Sequence, residues 1–338
     1  MEPLLSIPII LSFFVTFLAL PSWIRKARKA GLVWEDMNKY KQPKNIAGSG
    51  GLIVVMGFVL GVLSYIAIKT FILETDVTTV EIFALLAATL IAAIVALADD
   101  ILGWRHGGLS AKLRIILIFL AAVPLMVISA GSSTINIPFI GITNIGIIYP
   151  LLFIPIGMIG TIATFNFLAG YNGLEAGQGI LIIGALSVVA FFTGSSWLSL
   201  IGLCMVVSLF AFLFFNKFPA KVFPGDTLTY SIGALIAIFA ILGNFERIAV
   251  FFFIPYIAET FLKLRGKLKK QSFGLPQKDG SLELAYKKIY GLEHFAIWFL
   301  KRFKKGGKVY EKEVVYFIHI IQILIILLGF IIFRSSIF

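Results

Sequence analysis

The sequence predicts an all-α polytopic membrane protein with ten transmembrane helices, and three observations carry the prediction. The chain of 338 residues is 59% hydrophobic and only 14% charged, with a mean hydropathy of +0.99, which excludes an ordinary soluble domain. Its apolar residues gather in runs of about 20, the length that crosses a hydrocarbon core as a helix. The runs are continuously apolar and do not alternate, which argues against a spanning barrel.

The predicted spans are 3–24, 48–69, 78–98, 113–131, 146–165, 179–194, 197–215, 227–243, 246–262 and 314–334. They form one membrane domain over 1–338, with 263–313 as an inserted loop. The first span has Glu2 before it and Arg25, Lys26, Arg28 and Lys29 after it. A cleavable signal peptide has the opposite order, so this helix is expected to be retained. Cys204 is the single cysteine and lies within a span, so no intrachain disulfide or thiol redox chemistry is implied.

Ten spans make the connections alternate between two sides. One side holds 25–47, 99–114, 166–178, 216–226 and 263–313, with 26 of the 29 Lys and Arg residues; Lys69, Arg247 and Arg334 are the others. The positive-inside rule puts that side in the cytoplasm of a cell-membrane protein and both termini outside. The net charge of +12 therefore reads as a topology signal and not as a nucleic-acid footprint. Asp99, Asp100, Glu175 and Asp226 fall on the same side, each at a helix–loop junction. One-sided polar chemistry suits an enzyme whose water-soluble substrate meets a lipid at the membrane surface. A transporter, the more distant alternative, would place polar groups near mid-bilayer in paired repeats.

Asp99-Asp100 follow a long apolar run. Acids are unfavourable at a helix C-terminus and doubled charges repel, so the pair points to a metal, a basic residue or a phosphoryl substrate. The stretch Asn166-Phe167-Leu168-Ala169-Gly170-Tyr171-Asn172-Gly173-Leu174-Glu175-Ala176-Gly177-Gln178 combines small residues, which admit a ligand to the backbone, with Asn, Glu and Gln side chains. Val222-Phe223-Pro224-Gly225-Asp226-Thr227 opens the eighth span; Asp226 reads either as an N-cap or as a hard oxygen ligand, and Phe223 is placed to stack on a base. Asp36-Met37-Asn38-Lys39 begins a polar, Gly-rich entry to the second helix. Glu259 reads as paired with Lys263 on a helix surface. In the last connection, 273–275 and 282–286 flank Lys278-Asp279-Gly280 as a hairpin, and Leu292 to Phe303 reads as an interfacial amphipathic helix.

At these residues the chain resembles the polyprenyl-phosphate N-acetylhexosamine-1-phosphate transferases, above all the eukaryotic and archaeal branch that makes dolichyl-diphospho-GlcNAc for N-glycosylation. The resemblance rests on Asp99-Asp100 with Trp104-Arg105-His106, on the Asn166–Gln178 string and on Val222–Thr227. It implies ten helices around a cytoplasmic active site, UDP-GlcNAc as donor, a polyprenyl (dolichyl) phosphate as acceptor, Mg²⁺ (with Mn²⁺ as a substitute) and UMP as product. A homodimer is one assembly open to such a protein. Carried over by position, Asn166 and Asp226 are the expected metal ligands, and Asp99 and Asp100 the catalytic pair beside the lipid phosphate. Asn172, Phe223 and Asp36, Met37, Asn38 and Lys39 would line the uridine; Trp104, Arg105, His106 and Glu175 complete the substrate-binding set.

The chain departs from that pattern in the last connection, where Leu268-Lys269-Lys270-Gln271 stands in place of a Pro-Arg-His-Arg motif. Lys269 and Lys270 are the candidate diphosphate contacts, as point charges without arginine's bidentate grip. Gly107 stands where a lysine is expected, and Lys112 is its candidate substitute. The nearer alternative reading is a related phosphosugar transferase using another UDP-HexNAc or undecaprenyl phosphate.

Overall fold

The computed structural model describes residues 3–75, 78–137 and 141–338, with their side chains except those of 104–106, 135–137 and 141–142. The helices are α1 (Ile7–Ala30), α2 (Gly51–Phe71), α3 (Thr79–His106), α4 (Ala111–Val127), α5 (Ile154–Phe165), α6 (Leu174–Phe192), α7 (Ser196–Asn216), α8 (Gly225–Gly243), α9 (Glu246–Phe252), α10 (Ile254–Arg265), α11 (Leu292–Phe303) and α12 (Glu311–Ile332). Among the described residues seven are long and apolar enough to cross a membrane: α1, α2, α3, α6, α7, α8 and α12. The other three predicted spans meet shorter pieces. α4 has 17 residues. Span 146–165 becomes a wide turn, Tyr149–Phe153, leading into α5. Span 246–262 is divided at Phe253 into α9 and α10, where Pro255 lacks the N–H that a continuous helix needs.

Two helices are longer than their apolar runs. α6 starts at Leu174 and α8 at Gly225, so Glu175, Gln178 and Asp226 belong to first turns that hydropathy alone leaves out. α3 likewise runs six residues past Asp100 before Gly107 closes it at φ 83°. Asp99 and Asp100 thus sit inside a helix and not at its end, because Ile101 and Leu102 continue it.

α8 is the centre of the bundle. Every residue from Thr227 to Ile241 is buried, and α2, α3, α5 and α6 pack around it, as expected of a helix apolar on all sides. Between spans, where lipid is as apolar as leucine, small residues supply the close contact. A β-carbon on Gly57 or Gly61 of α2 would collide with Thr16 or Ser12 of α1. Those hydroxyls donate back to Ser12 O and Pro8 O, each at 2.9 Å.

Short antiparallel strand pairs decorate the connections: β1 (Val33–Glu35) with β2 (Lys44–Ala47), β3 (Thr134–Ile137) with β4 (Gly141–Asn144), and β5 (Leu275–Pro276) with β6 (Leu282–Glu283). The last pair is the predicted hairpin in shorter form, and α11 covers the predicted amphipathic segment. Ala47 also bridges Val222 in parallel, tying the first connection to the start of α8. Glu259 does pair with Lys263, at 3.4 Å, but in the interior and not on a surface: both are buried, under the segment that follows α10.

Candidate active site at the ends of α3 and α8

A cavity of about 780 Å³ opens at one end of the bundle, and all five connections of the basic side line it. Trp34, Glu35 and Met37 come from the first; Asp99, Asp100 and Arg114 flank the second. Asn166, Gly170, Tyr171 and Glu175 come from the third, Phe223, Asp226 and Thr229 from the fourth, and Gln271 and Phe273 from the last.

Adjacent positions on α3 point about 100° apart, and the acidic pair divides its work accordingly. Asp99 turns to α4: its Oδ2 lies 2.7 Å from Arg114 Nε, and its Oδ1 accepts from Leu109 N at 2.6 Å. Asp100 turns to α8. Its Oδ1 accepts from Asp226 N at 2.7 Å, and its Oδ2 from Thr227 Oγ1 at 2.8 Å and Thr227 N at 3.3 Å. The first N–H groups of a helix lack internal partners and carry partial positive charge, so Asp100 caps α8 from another helix. The Asp226 side chain is left to face the cavity, where Asp99, Asp100 and Arg114 set the field around it. Thr229, one turn on, donates to Asn166 Oδ1 at 2.9 Å or to Asp226 O at 3.1 Å, which joins the ends of α5 and α8.

The third connection forms the opposite wall. Glu175 Oε1 accepts from Gly170 N at 2.7 Å, while its Oε2 is buried without a partner. Gly170 has φ 105°, and a β-carbon there would come within 2.6 Å of the Phe273 ring, so only glycine lets this turn touch the last connection. Tyr171 OH accepts from Gly274 N at 3.2 Å and donates toward Ser272 O at 3.4 Å. Burial, together with the nearby Glu293 charge, pushes its phenol well above the usual tyrosine range, so it stays protonated.

Beside the cavity lies a closed polar clasp. Glu311, at the first position of α12, accepts from Asn172 N at 2.8 Å and Asn172 Nδ2 at 2.6 Å, and its other oxygen pairs with Lys39. Lys39 is also 3.1 Å from Asp36, which accepts from Asn172 Nδ2 at 3.2 Å. Asn172 Oδ1 accepts from Ala220 N at 2.6 Å. The first, third, fourth and last connections are thus locked together by groups that are buried apart from Lys39, whose side chain is 20% exposed.

The description "Glycosyl transferase family 4" matches residues 82–244, a range that runs from α3 to α8. A protein of Saccharolobus solfataricus, provisionally named a UDP-N-acetylglucosamine–dolichyl-phosphate N-acetylglucosaminephosphotransferase, is 38% identical over 91% of this chain and 90% of its own. The chain belongs to glycosyl transferase family 4. A Sulfolobus acidocaldarius protein with the same provisional name is 31% identical over 95% of this chain and 94% of its own. The Dictyostelium discoideum UDP-N-acetylglucosamine–dolichyl-phosphate N-acetylglucosaminephosphotransferase is 28% identical over 72% and 67% respectively.

In this family member the sequence-derived candidates separate into three groups. Asp99, Asp100, Asn166, Asp226, Met37, Glu175 and Phe223 line the cavity. Asp36, Lys39 and Asn172 do not; they are consumed in the clasp, and Asn38 donates to Gly170 O at 2.9 Å to support the same turn. Lys112 is exposed on the first turn of α4, outside the lining, and among the described residues the basic side chain that lines the cavity is Arg114, two residues on. Lys269 and Lys270 are exposed; Lys270 lies 4.8 Å from the Tyr286 ring centroid and borders a smaller side cavity of about 250 Å³ shared with Asn166. The side chains of Trp104, Arg105 and His106 lie outside the described residues. Sequence reading missed Arg114, Thr229 and Glu311 as site residues, because their partners come from other helices or connections, and it gave Gln271 and Phe273 no place in the site.

Among the described residues no three His, Cys, Asp or Glu side chains gather as a ready metal cage. Asp226 and Asn166 nevertheless suit a hard divalent cation. Mg²⁺ is held by one or two carboxylates together with substrate phosphates and water, and three crowded carboxylates here face one described ion-pairing cation, Arg114.

Proposed function

We propose that this protein transfers GlcNAc-1-phosphate from UDP-GlcNAc to a dolichyl-type polyprenyl phosphate, giving polyprenyl-diphospho-GlcNAc and UMP, the first step of lipid-linked oligosaccharide assembly for N-glycosylation. One observation carries the reading: Asp99, Asp100, Asp226, Asn166 and Arg114 converge on a single cavity at the end of a membrane bundle, in a chain whose relatives across nine-tenths of its length are named for that reaction.

A lipid phosphate oxygen attacks the β-phosphorus of UDP-GlcNAc in line, and the bond from that phosphorus to the bridging oxygen breaks, so UMP leaves with the bridging oxygen. Positioning and charge neutralisation carry such transfers. A phosphate monoester has a second pKa of about 6 and is largely dianionic at neutral pH, so the attack needs no strong base. That suits Asp100, whose oxygens are committed to α8: it aims Asp226 at the cavity. Arg114 is the side chain for a phosphate oxygen, with Asp99 fixing its guanidinium plane. Asp226 and Asn166 would hold Mg²⁺, or Mn²⁺ in its place, whose charge offsets that of the diphosphate. Phe223 and Trp34 offer apolar faces to the base.

Ten crossings remain the topology we adopt, with the cavity cytoplasmic and both termini outside, because the five connections around the cavity carry 26 of 29 basic residues. α4 and the Tyr149–Phe165 segment each have 17 residues, at the short end of the spanning range of about 17–25, and α9 with α10 make the broken tenth. Purified protein given Mg²⁺, a panel of UDP-sugars and either dolichyl or undecaprenyl phosphate should release UMP fastest with UDP-GlcNAc and dolichyl phosphate. Release only with another UDP-HexNAc or only with undecaprenyl phosphate would move the assignment to a sister activity, and no release with any pair would end it.

A further inference from the structure

The inserted segment after α10 carries a surface that the reaction does not use. The inward face of α11 holds Ala296 and Ile297, and Ile297 packs against Gly274, next to Phe273 in the cavity wall. Its outward face is an aromatic ridge: Phe295 meets Trp298 and Phe299, and Phe299 meets Phe303, as tilted ring pairs with centroids 4.6 to 6.0 Å apart. Trp298 is 44% exposed and Phe303 68%, unusual for large rings unless something covers them.

Two features identify what covers them. The ridge is continuous with the lipid-facing side of a membrane span: Phe295 and Phe299 meet Phe317 of α12 at 6.1 and 5.1 Å, and from there α12 exposes Ile320, Leu324, Leu327 and Ile331. Phe317 is six residues into α12, about 9 Å along the helix from its start at 1.5 Å per residue, and aromatic belts gather near the ends of spans. The second feature is charge. The exposed acids of the insertion are each matched by a lysine, Asp279 by Lys308, Glu283 by Lys301 and Glu313 by Lys304, whereas Glu293 and Glu311 are buried. Arg302 and Lys305, beside the ridge, make no ion pair among the described residues and are exposed. The uncompensated charge of this surface is cationic.

We propose that α11 lies in the interface of the bilayer that α12 crosses, with Trp298 and Phe303 at the headgroup–acyl boundary and Arg302 and Lys305 on anionic lipid headgroups. The bilayer then seats the insertion, and through Ile297 and Gly274 it seats the Phe273 wall of the cavity. Interfacial helices combine these elements: an apolar aromatic face, flanking cations and attraction to anionic lipid.

Nitroxide labels on Phe303→Cys and, as an aqueous control, Lys278→Cys at the hairpin tip, both in a Cys204→Ser background of the full chain, test this in nanodiscs. In phosphatidylcholine with 30% phosphatidylglycerol the 303 label should collide more with oxygen than with a polar nickel chelate, and the 278 label should show the reverse. Adding Arg302→Ser and Lys305→Ser, or omitting phosphatidylglycerol, should shift the 303 label toward the aqueous pattern. A 303 label as accessible to the chelate as the 278 label would overturn the proposal, as would dipolar broadening at 303, which would mark a second copy of the chain as the occupant. A depth indifferent to both charge manipulations would overturn the anionic-lipid assignment.

Discussion

Two polar assemblies stand side by side at the same end of the bundle and solve opposite problems. In the clasp of Asp36, Lys39, Asn172 and Glu311, acceptors and donors are matched within a closed set. In the corner of Asp99, Asp100 and Asp226, three carboxylates share one described cation and one of them faces open space. The first arrangement is how a fold satisfies buried charge; the second leaves charge unsatisfied, which a fold keeps where a ligand will complete it. The family match covers every member of the corner; of the clasp it covers Asn172 and omits Asp36, Lys39 and Glu311.

The two assemblies differ most at Asp226. Asp226→Asn keeps the shape and α8's backbone bonds to Asp100 but removes the charge from the cavity. It should lower Mg²⁺-dependent kcat by at least about 10²–10³-fold, the scale of losing one preorganised electrostatic group, with little change in Tm. Near wild-type turnover in purified protein would remove Asp226 from the metal site. Asp100→Asn comes next. Its amide keeps one acceptor for the Asp226 or Thr227 N–H but loses the second acceptor and the charge, so a kcat loss of about 10²-fold and a stability loss of about 1–2 kcal/mol, the scale of a helix cap, are expected. If kcat fell with no change in stability and no weakening of Mg²⁺ activation, Asp100 would be acting on the lipid phosphate directly and not through α8.

The clasp should respond in the other currency. Glu311→Ala leaves the buried Asn172 N–H without its acceptor and takes one of two carboxylates from Lys39, which keeps Asp36, a defect of about 1–3 kcal/mol, visible as a fall in Tm. Glu311→Gln retains an acceptor for Asn172 and should recover part of that. In the glutamine variant the third connection is held less firmly, so the KM for UDP-GlcNAc should rise several-fold while kcat stays within about twofold. An equal loss in kcat would show that the clasp groups touch the reacting centre.

The corner was legible in the sequence because each acid announces itself locally: two adjacent acids after an apolar run and one at a helix start. The charge bias also foretold which five connections would meet. What could not be read were relations between distant residues. Glu311 is 139 positions from Asn172 and 272 from Lys39, and in sequence it is an ordinary acid at the start of a helix. Arg114 offered a weak signal, a basic residue one turn after Ser110, but Lys112 competes for it, and only the packing of α4 on α3 decides between them. The starts of α6 and α8 were displaced because polar first turns are invisible to hydropathy, and the break at Phe253 because one proline in a run is a weak sign until the helix is built.

Lys269 and Lys270 give the smallest effect and the finest test of the comparison. Both are exposed, outside the cavity lining, in the place where the family pattern carries arginines. An ammonium at the rim acts on a diphosphate through water, and at 0.15 M salt the screening length is about 8 Å, so its pull is mainly on substrate capture. Lys269→Ala with Lys270→Ala should raise the KM for UDP-GlcNAc by about two- to threefold at low ionic strength, an exposed-pair energy of well under about 1 kcal/mol, and the increase should fade as salt is added. Lys287→Ala with Lys288→Ala, equally exposed but outside the cavity lining, is the control and should leave KM unchanged. A tenfold or salt-resistant rise for the 269–270 pair would mean that the segment folds inward over the substrate, making the last connection part of the unsatisfied corner and no longer part of its rim.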